Sequence, residues 1–420
     1  MASLYIGTPV LTQEGDHTVL AAPVSVGERE IRVWFRVPAN VNPTLTSDPF
    51  FAVGLIPAMA LKQPFEIQTP ISASLPDTAN TIQKIFHNWF PALGLVPVHA
   101  ITCPEPQKRR SGVGCFFSGG VDSLNTFLKH EEEITTLIYV HGFDVDLKDH
   151  ALRTKVSDSL RAFAARTGKS LIEVETNLRD FTNQYGDWGR HIHGSALASV
   201  ALLLNSILGR IYIPSSYAYS ELFPWASHPL VDPLWSTPAV QIIHDGCEAS
   251  RFEKVASIAG DTRALSILRV CWENRNGAIN CGVCEKCLRT MTALKVLGAL
   301  DRCPTFQTPL DLASVSQFEL KKHGNSLFWK DNYLAAVEYK QDAIAAALKT
   351  ALEHYDENNL ILTLSNQFAK IVASSNWNEF TRKHRESLFH SLMRGNGRWM
   401  MKEILKENIK VFIRKKSKSA

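Results

Sequence analysis

The chain has 420 residues, 45% of them apolar and nine of them Trp, which is enough for two or three packed domains. Lys and Arg number 45 against 41 Asp and Glu, so no overall field draws the protein to nucleic acid or to a membrane surface. No uncharged apolar run reaches membrane-spanning length and no stretch near the N-terminus has the pattern of a secretory leader, which makes the cytoplasm the expected compartment.

In chain order, Ile31, Val33, Phe35 and Val37 alternate with Arg32, Trp34 and Arg36, the pattern of a half-buried strand in an antiparallel sheet. Near Pro76-Asp77 a helix begins that lays Ile82, Ile85, Phe86, Trp89 and Phe90 on one face. Residues 1–105 therefore read as an N-terminal α+β domain.

From Val113 the pattern changes. Apolar runs at Val113–Phe117, Ile134–Val140, Leu171–Val174, Ile211–Pro214 and Val240–Ile243 alternate with helical segments at Leu147–Arg166 and Ser195–Leu208. This predicts an α/β fold for residues 106–303, a parallel sheet covered by helices on both faces. Ligands then bind beyond the C-terminal strand ends, where loops at Ser118, at His141-Gly142-Phe143-Asp144 and at Ser215-Ser216-Tyr217 converge.

The first of these loops is the most specific signal. Phe117-Ser118-Gly119-Gly120-Val121-Asp122-Ser123 lies between a buried strand and an amphipathic segment, Asn125–Lys129. Two glycines let main chain approach a phosphate, and the helix behind them directs unpaired N–H groups and its positive dipole end at the anion. Ser118 and Ser123 add hydroxyl donors, and Asp122 either holds Mg²⁺ or braces the loop. Two other phosphate motifs fail. Thr167-Gly168-Lys169-Ser170 lacks the leading glycine of a P-loop and reads as a helix C-cap turn, while Gly112-x-Gly114 has Phe117 where a dinucleotide fingerprint needs its third glycine.

Further candidates are less specific. Arg190, His191 and His193 stand at the entrance of a small-residue helix, where they meet phosphate or substrate, form a metal pair, or are simply solvated. Arg251 and Lys254 suit a phosphate contact or a surface salt bridge. Asp144, at a strand end, suits Mg²⁺ or a substrate amine, and Tyr217 and Trp235 either stack on a purine or belong to the core.

Four of the eight cysteines, Cys271, Cys281, Cys284 and Cys287, form two overlapping Cys-x-x-Cys steps with a fourth thiol upstream, and Gly282 lies inside the first step. A closed structural Zn²⁺ site fits this spacing; an iron–sulfur cluster and metal-free reduced thiols are the alternatives. Residues 304–420 read as a C-terminal helical region, notably Tyr333–Tyr355 and Arg385–Met393, ending in a basic tail with Lys410, Arg414, Lys415, Lys416 and Lys418.

The order Ser-Gly-Gly-x-Asp-Ser resembles the pyrophosphate loop (PP-loop) of the ATP pyrophosphatase superfamily. Together with His244-Asp245-Gly246, the run Ser250–Val255 and the ending Cys281-Gly282-Val283-Cys284-Glu285-Lys286-Cys287-Leu288-Arg289, it is similar to the 7-cyano-7-deazaguanine synthase family over residues 111 to 300. The resemblance implies an adenine nucleotide alpha hydrolase-like (HUP) fold, with ATP, Mg²⁺ and Zn²⁺ as cofactors. It implies a ligase-type reaction in which a carboxylate, 7-carboxy-7-deazaguanine, is adenylated and then attacked by ammonia or an amine, giving amide, nitrile or a protein conjugate. Ser118, Asp122, Ser123 and Lys254 would be catalytic, and Gly119, Gly120, Val121, His141, Gly142, Asp144, Arg190 and Arg251 would line the nucleotide. Val140-His141-Gly142-Phe143-Asp144 departs from the Tyr-Gly-Gln type of loop expected there, and the Cys271–Cys281 spacing is longer than expected.

Extended relatives in bacterial antiphage defence operons imply a partner protein as acceptor. Expected partners are thus the deazapurine, then a protein acceptor encoded nearby or a second copy of the chain, with RNA less favoured and no membrane. The competing functions are a tRNA-modifying PP-loop enzyme of the thiolase or lysidine-synthase kind, which would give the basic tail a purpose, and a non-catalytic nucleotide-binding scaffold.

Overall fold

The computed structural model of the chain describes residues 3–104, 109–321 and 323–356. The N-terminal region supplies strands β1 (Leu4–Ile6), β2 (Val10–Glu14), β3 (His17–Val26), β4 (Arg29–Pro38), β5 (Phe65–Ser72) and β6 (Val98–Cys103). They are followed by β7 (Gly112–Phe116), β8 (Thr136–His141), β9 (Ser170–Thr176), β10 (Leu208–Pro214) and β11 (Gln241–Asp245). The helices are α1 (Asp48–Leu61), α2 (Ser74–Trp89), α3 (Val121–Lys129), α4 (His150–Thr167), α5 (Leu178–Thr182), α6 (His193–Leu203), α7 (Arg251–Ala259), α8 (Thr262–Ile267), α9 (Glu285–Val296), α10 (Leu312–Ser316) and α11 (His323–Glu338).

The five later strands are parallel and lie in the order β11-β10-β7-β8-β9. They coincide with the five apolar runs of the sequence. All six residues of β8 are buried, as a strand covered on both faces requires. Chain order reverses between β7 and β10, and at such a switch point the loops leaving adjacent strands separate and open a crevice.

Beyond β9 the sheet continues. Phe35 and Arg36 of β4 pair antiparallel with Thr176 and Glu175. Asn177 reinforces the seam, accepting from Trp34 N and donating to Arg32 O, both at 2.9 Å. The order then runs β4-β3-β1-β5-β6, with β2 also on β3. Alternation along β8 divides the interior in two. Ile138 and Val140 join a core shared with Phe35, Phe51, Phe65 and Trp235, whereas Leu137 and Tyr139 face Phe117, Phe127 and Phe163. The first core therefore spans the N-terminal strands and the central sheet.

Two element boundaries differ from the periodicity of the sequence, and one turn agrees with it. The segment Ser195–Leu208 is helical only to Leu203, because Leu208 already begins β10. Tyr333–Tyr355 is two helices: α11 ends at Glu338, Lys340 adopts φ 56°, and helix resumes over 342–356. Gly168, at φ 66°, caps α4 in the left-handed conformation expected of a C-cap turn. Arg385–Met393 and the basic tail lie outside the described residues. Among the described residues no helix is long and apolar enough to cross a membrane.

Candidate functional site

The loop between β7 and α3 opens at the switch point. Phe117 N donates to Ile138 O at 2.7 Å, and the chain then turns through Gly119 at φ 72°. Arg269 N donates to Gly119 O at 2.8 Å, and a Cβ on Gly119 would sit 3.1 Å from Ile267 O. Both the backbone angle and the neighbouring strap therefore call for glycine. Gly120 is the N-cap of α3 and provides no side-chain cap, so the first-turn N–H groups of Val121, Asp122 and Ser123 face outward from the helix start without an intrahelical acceptor. Ser123 donates its hydroxyl to Gly120 O at 3.0 Å, and the Val121 side chain anchors the turn in the core.

Opposite this helix start, α7 begins with a capping box in which Ser250 and Glu253 bond each other's main-chain N–H groups at 2.7 and 3.3 Å. Its first turn places Arg251 and Lys254 on one face. Arg251 Nη1 bonds Asp122 Oδ1 at 2.6 Å, while Lys254 Nζ donates to Ser215 O at 2.8 Å and lies 4.0 Å from Asp122 Oδ1. Ser216 Oγ reaches Asp122 Oδ2 at 3.5 Å. Burial alone would raise the Asp122 carboxyl, but Arg251, Lys254 and Arg289 outweigh it and hold it below its ordinary value. Burial pulls the Lys254 ammonium down despite Asp122. Asp122 thus braces the loop against α7.

The remaining candidates separate. Gly142 N donates to Val145 O at 3.0 Å, closing the turn that presents Asp144. Asp144 is solvent-exposed yet crowded by protein; burial would raise its carboxyl, but Lys286, Arg269, His193 and Arg179 hold it down. Arg269, one of these cations, is also the residue whose main-chain N–H holds Gly119 O. His141 is buried and pairs with Glu173 at 2.9 Å and with Arg153 Nε at 3.3 Å. Arg190 lies 5.0 Å from the Phe90 ring centroid, and His191 Nδ1 accepts from Asp187 N at 3.1 Å. The structure does not bring His141 or Arg190 to Asp122. Trp235 is a core residue, whereas Tyr217 stacks on Phe328 with centroids 5.2 Å apart.

Among the described residues, the metal-ligand group that converges is Cys271, Cys281, Cys284 and Cys287, whose sulfurs all lie within 4.8 Å of one another. Cys271 and Cys284 are 3.8 Å apart, and Cys281 and Cys287 are 4.0 Å apart. A tetrahedral ion with zinc–sulfur bonds of about 2.3 Å has sulfur–sulfur edges of about 3.8 Å, so the four thiols can hold one metal ion such as zinc. Gly282, at φ 74°, turns the first step, and Cys284 N donates to Cys281 Sγ at 3.3 Å. Asn280 ties the cluster to the loop strap, since its Oδ1 accepts from Val270 N and Cys271 N at 2.9 and 3.2 Å. The four-cysteine group and the β7–α3 loop are therefore joined through the strap at 267–271.

Two residues of this neighbourhood escaped the candidates drawn from the sequence. Arg289, on α9, is buried beside Arg251 and Asp122, and Phe328 of α11 packs against it. Only the position of Arg289 soon after Cys287 hinted at it.

His244, at the end of β11, bonds Asp232 Oδ2 through Nδ1 at 2.7 Å. Burial would lower its pKa, but Asp232 and Cys247 push it up to about 9. Because the folded value exceeds the ordinary 6.5, the stability it contributes is complete below about pH 6.5 and is lost as pH rises through about 9. The contribution is on the order of 3 kcal/mol. Urea melts from about pH 6 to about pH 9.5 should show this loss, and Asp232→Asn should flatten it; an equal slope in the variant would discard the assignment.

No family model, no curated protein and no solved structure matches this chain.

Proposed function

We propose that the chain is an ATP-dependent adenylating enzyme of the PP-loop, HUP-fold kind, similar to the 7-cyano-7-deazaguanine synthases, that activates a carboxylate, 7-carboxy-7-deazaguanine. The observation that carries this reading is the uncapped start of α3 at the switch point, faced by Arg251 and Lys254 across a shared Asp122. That arrangement suits a polyphosphate, which needs main-chain donors and cations fixed before it arrives. A substrate carboxylate oxygen attacks the α-phosphorus, the bond to the β-phosphate bridge breaks, and pyrophosphate leaves into the loop. Ammonia or an amine then attacks the acyl carbon, a C–N bond forms, the C–O bond breaks, AMP leaves and solvent takes the proton.

Lys254 and the N–H groups of Val121 to Ser123 stabilise charge that grows on the leaving pyrophosphate. Mg²⁺ accompanying ATP would neutralise phosphate charge, and the exposed carboxylate of Asp144 would hold it. Zinc in the thiolate cluster is structural, because four sulfurs leave no open position. The acceptor completes the proposal: the regions flanking residues 111–300 suit a defence-type relative that joins the deazapurine to a protein amine.

The test is AMP formation from ATP and Mg²⁺ with and without 7-carboxy-7-deazaguanine, followed by chromatography. AMP should depend on the carboxylate, and Ser118→Ala should lower its rate by about 10²-fold. Absence of AMP from metal-loaded wild-type protein, or an unchanged rate in the variant, would defeat the proposal.

A further inference from the structure

Arg289 is 5% exposed, yet its Nε and Nη1 have no hydrogen-bond partner among the described residues. Glu285 Oε1 stands 3.4 Å from Nη1, but that oxygen already accepts from Trp329 Nε1 at 3.0 Å. A buried guanidinium with idle donors is costly, and in native proteins such a group is normally satisfied by a partner. Arg251 repeats the pattern: 6% exposed, it spends Nη1 on Asp122, while its Nε is buried without a partner. Two arginines with spare donors therefore border the phosphate loop.

Their orientation comes from α11. The Phe328 ring lies 4.1 Å from the Arg289 guanidinium carbon and 5.8 Å from that of Arg251, and it is stacked on Tyr217 with an interplanar angle of 14°. Asn332 Nδ2 donates to Arg289 O at 2.7 Å, fixing α11 against α9. At Gly324 an added Cβ would fall 2.7 Å from the Tyr217 hydroxyl, so the start of α11 presses closely on the same ring. The aromatic pair fixes the plane of the guanidinium while its edge keeps free donors.

We infer that Arg289 and Arg251 form an oxyanion subsite beside the phosphate loop, and that Phe328, from the C-terminal helical region, is the positioning residue that holds Arg289 in it. The ligand is an oxygen-rich anionic group, a phosphate or a carboxylate, matched by the planar fork of arginine. The choice of nucleotide and carboxylate as probes rests on the adenylation proposal; the subsite itself does not.

Calorimetric titrations with α,β-methylene-ATP, with 7-carboxy-7-deazaguanine and with inorganic pyrophosphate separate the sources. Arg289→Gln should weaken at least one of them by about tenfold or more. Arg289→Lys should recover only part of that loss, since a point charge lacks the fork. Phe328→Ala should weaken the same ligand by several-fold, and Phe328→Trp should restore it. Melting temperature and metal content of each variant identify any that merely fail to fold, and the lysine and tryptophan variants keep the test open if one does. Unchanged affinity for all three ligands in Arg289→Gln, or no effect of Phe328→Ala on the Arg289-dependent ligand, overturns the subsite. Full-rate AMP formation by Arg289→Gln overturns it too while leaving adenylation intact. Arg289-dependent binding of pyrophosphate alone, by a protein that takes neither nucleotide nor carboxylate, retains the subsite and removes the adenylation proposal.

Discussion

Stripping the metal from the four-cysteine cluster should unfold residues 271–300 and abolish AMP formation together. A closed thiolate site contributes on the order of 10 kcal/mol to folding, comparable with the roughly 5–15 kcal/mol total stability of a domain. Removing it leaves Cys271, Cys284 and Cys287 buried around a space with no bond to close it. The damage spreads along the strap, because Asn280 binds Val270 and Cys271, and Arg269 N holds Gly119 O at 2.8 Å. The loop loses the contact that fixes its left-handed residue, and α9, which carries Lys286 and Arg289, loses its cap residue Cys284. Chelation should therefore lower helical circular dichroism and adenylation in one transition, and Cys284→Ser or Cys287→Ser should reproduce it at the level of soluble yield. Folded, active protein carrying less than half an equivalent of metal would refute the dependence.

The central strand β8 could be read from the sequence because burial on both faces writes it as an apolar run, Leu137–Val140. The tight turn between β7 and α3 and the convergence of the cysteines were readable for a related reason: each depends on residues close in sequence. What escaped depends on distant packing. Helix α1 is apolar nearly all round and contains Pro57, so it shows no amphipathic face; it is helical because the sheet and α6 enclose it. Pairing of β4 with β9 joins residues more than a hundred positions apart and leaves no local trace. The partners of the His141 ring, Glu173 and Arg153, come from β9 and α4, which no local pattern announces. Arg190 likewise rests on Phe90 of the N-terminal region. Phe328 is one aromatic among 21 phenylalanines, and only the docking of α11 on α9 gives it a role.

Asp122→Ala should reduce AMP formation by about 10²-fold or more and cost about 3 kcal/mol of stability, a combination that distinguishes a brace from an isolated catalytic group. The variant leaves Arg251 and Lys254, 6% and 1% exposed, without their shared counter-ion. Two buried cations then repel across the space where α3 begins, and the loop loses its contact with α7. Adding Arg251→Ala should recover stability but not activity, since repulsion ends while the proposed phosphate contact is gone; a double-mutant cycle on urea midpoints measures that coupling. Acid supplies an independent check. The folded Asp122 carboxyl lies below its ordinary 3.8, so its contribution is complete above about pH 4 and disappears as pH falls through the depressed value. Asp122→Asn should remove that part of the acid limb while keeping a side chain of the same shape. If Asp122→Asn retains both the acid limb and wild-type stability, the ion pair is not what holds the loop, and any loss of activity in the alanine variant must come from direct contact with substrate or metal.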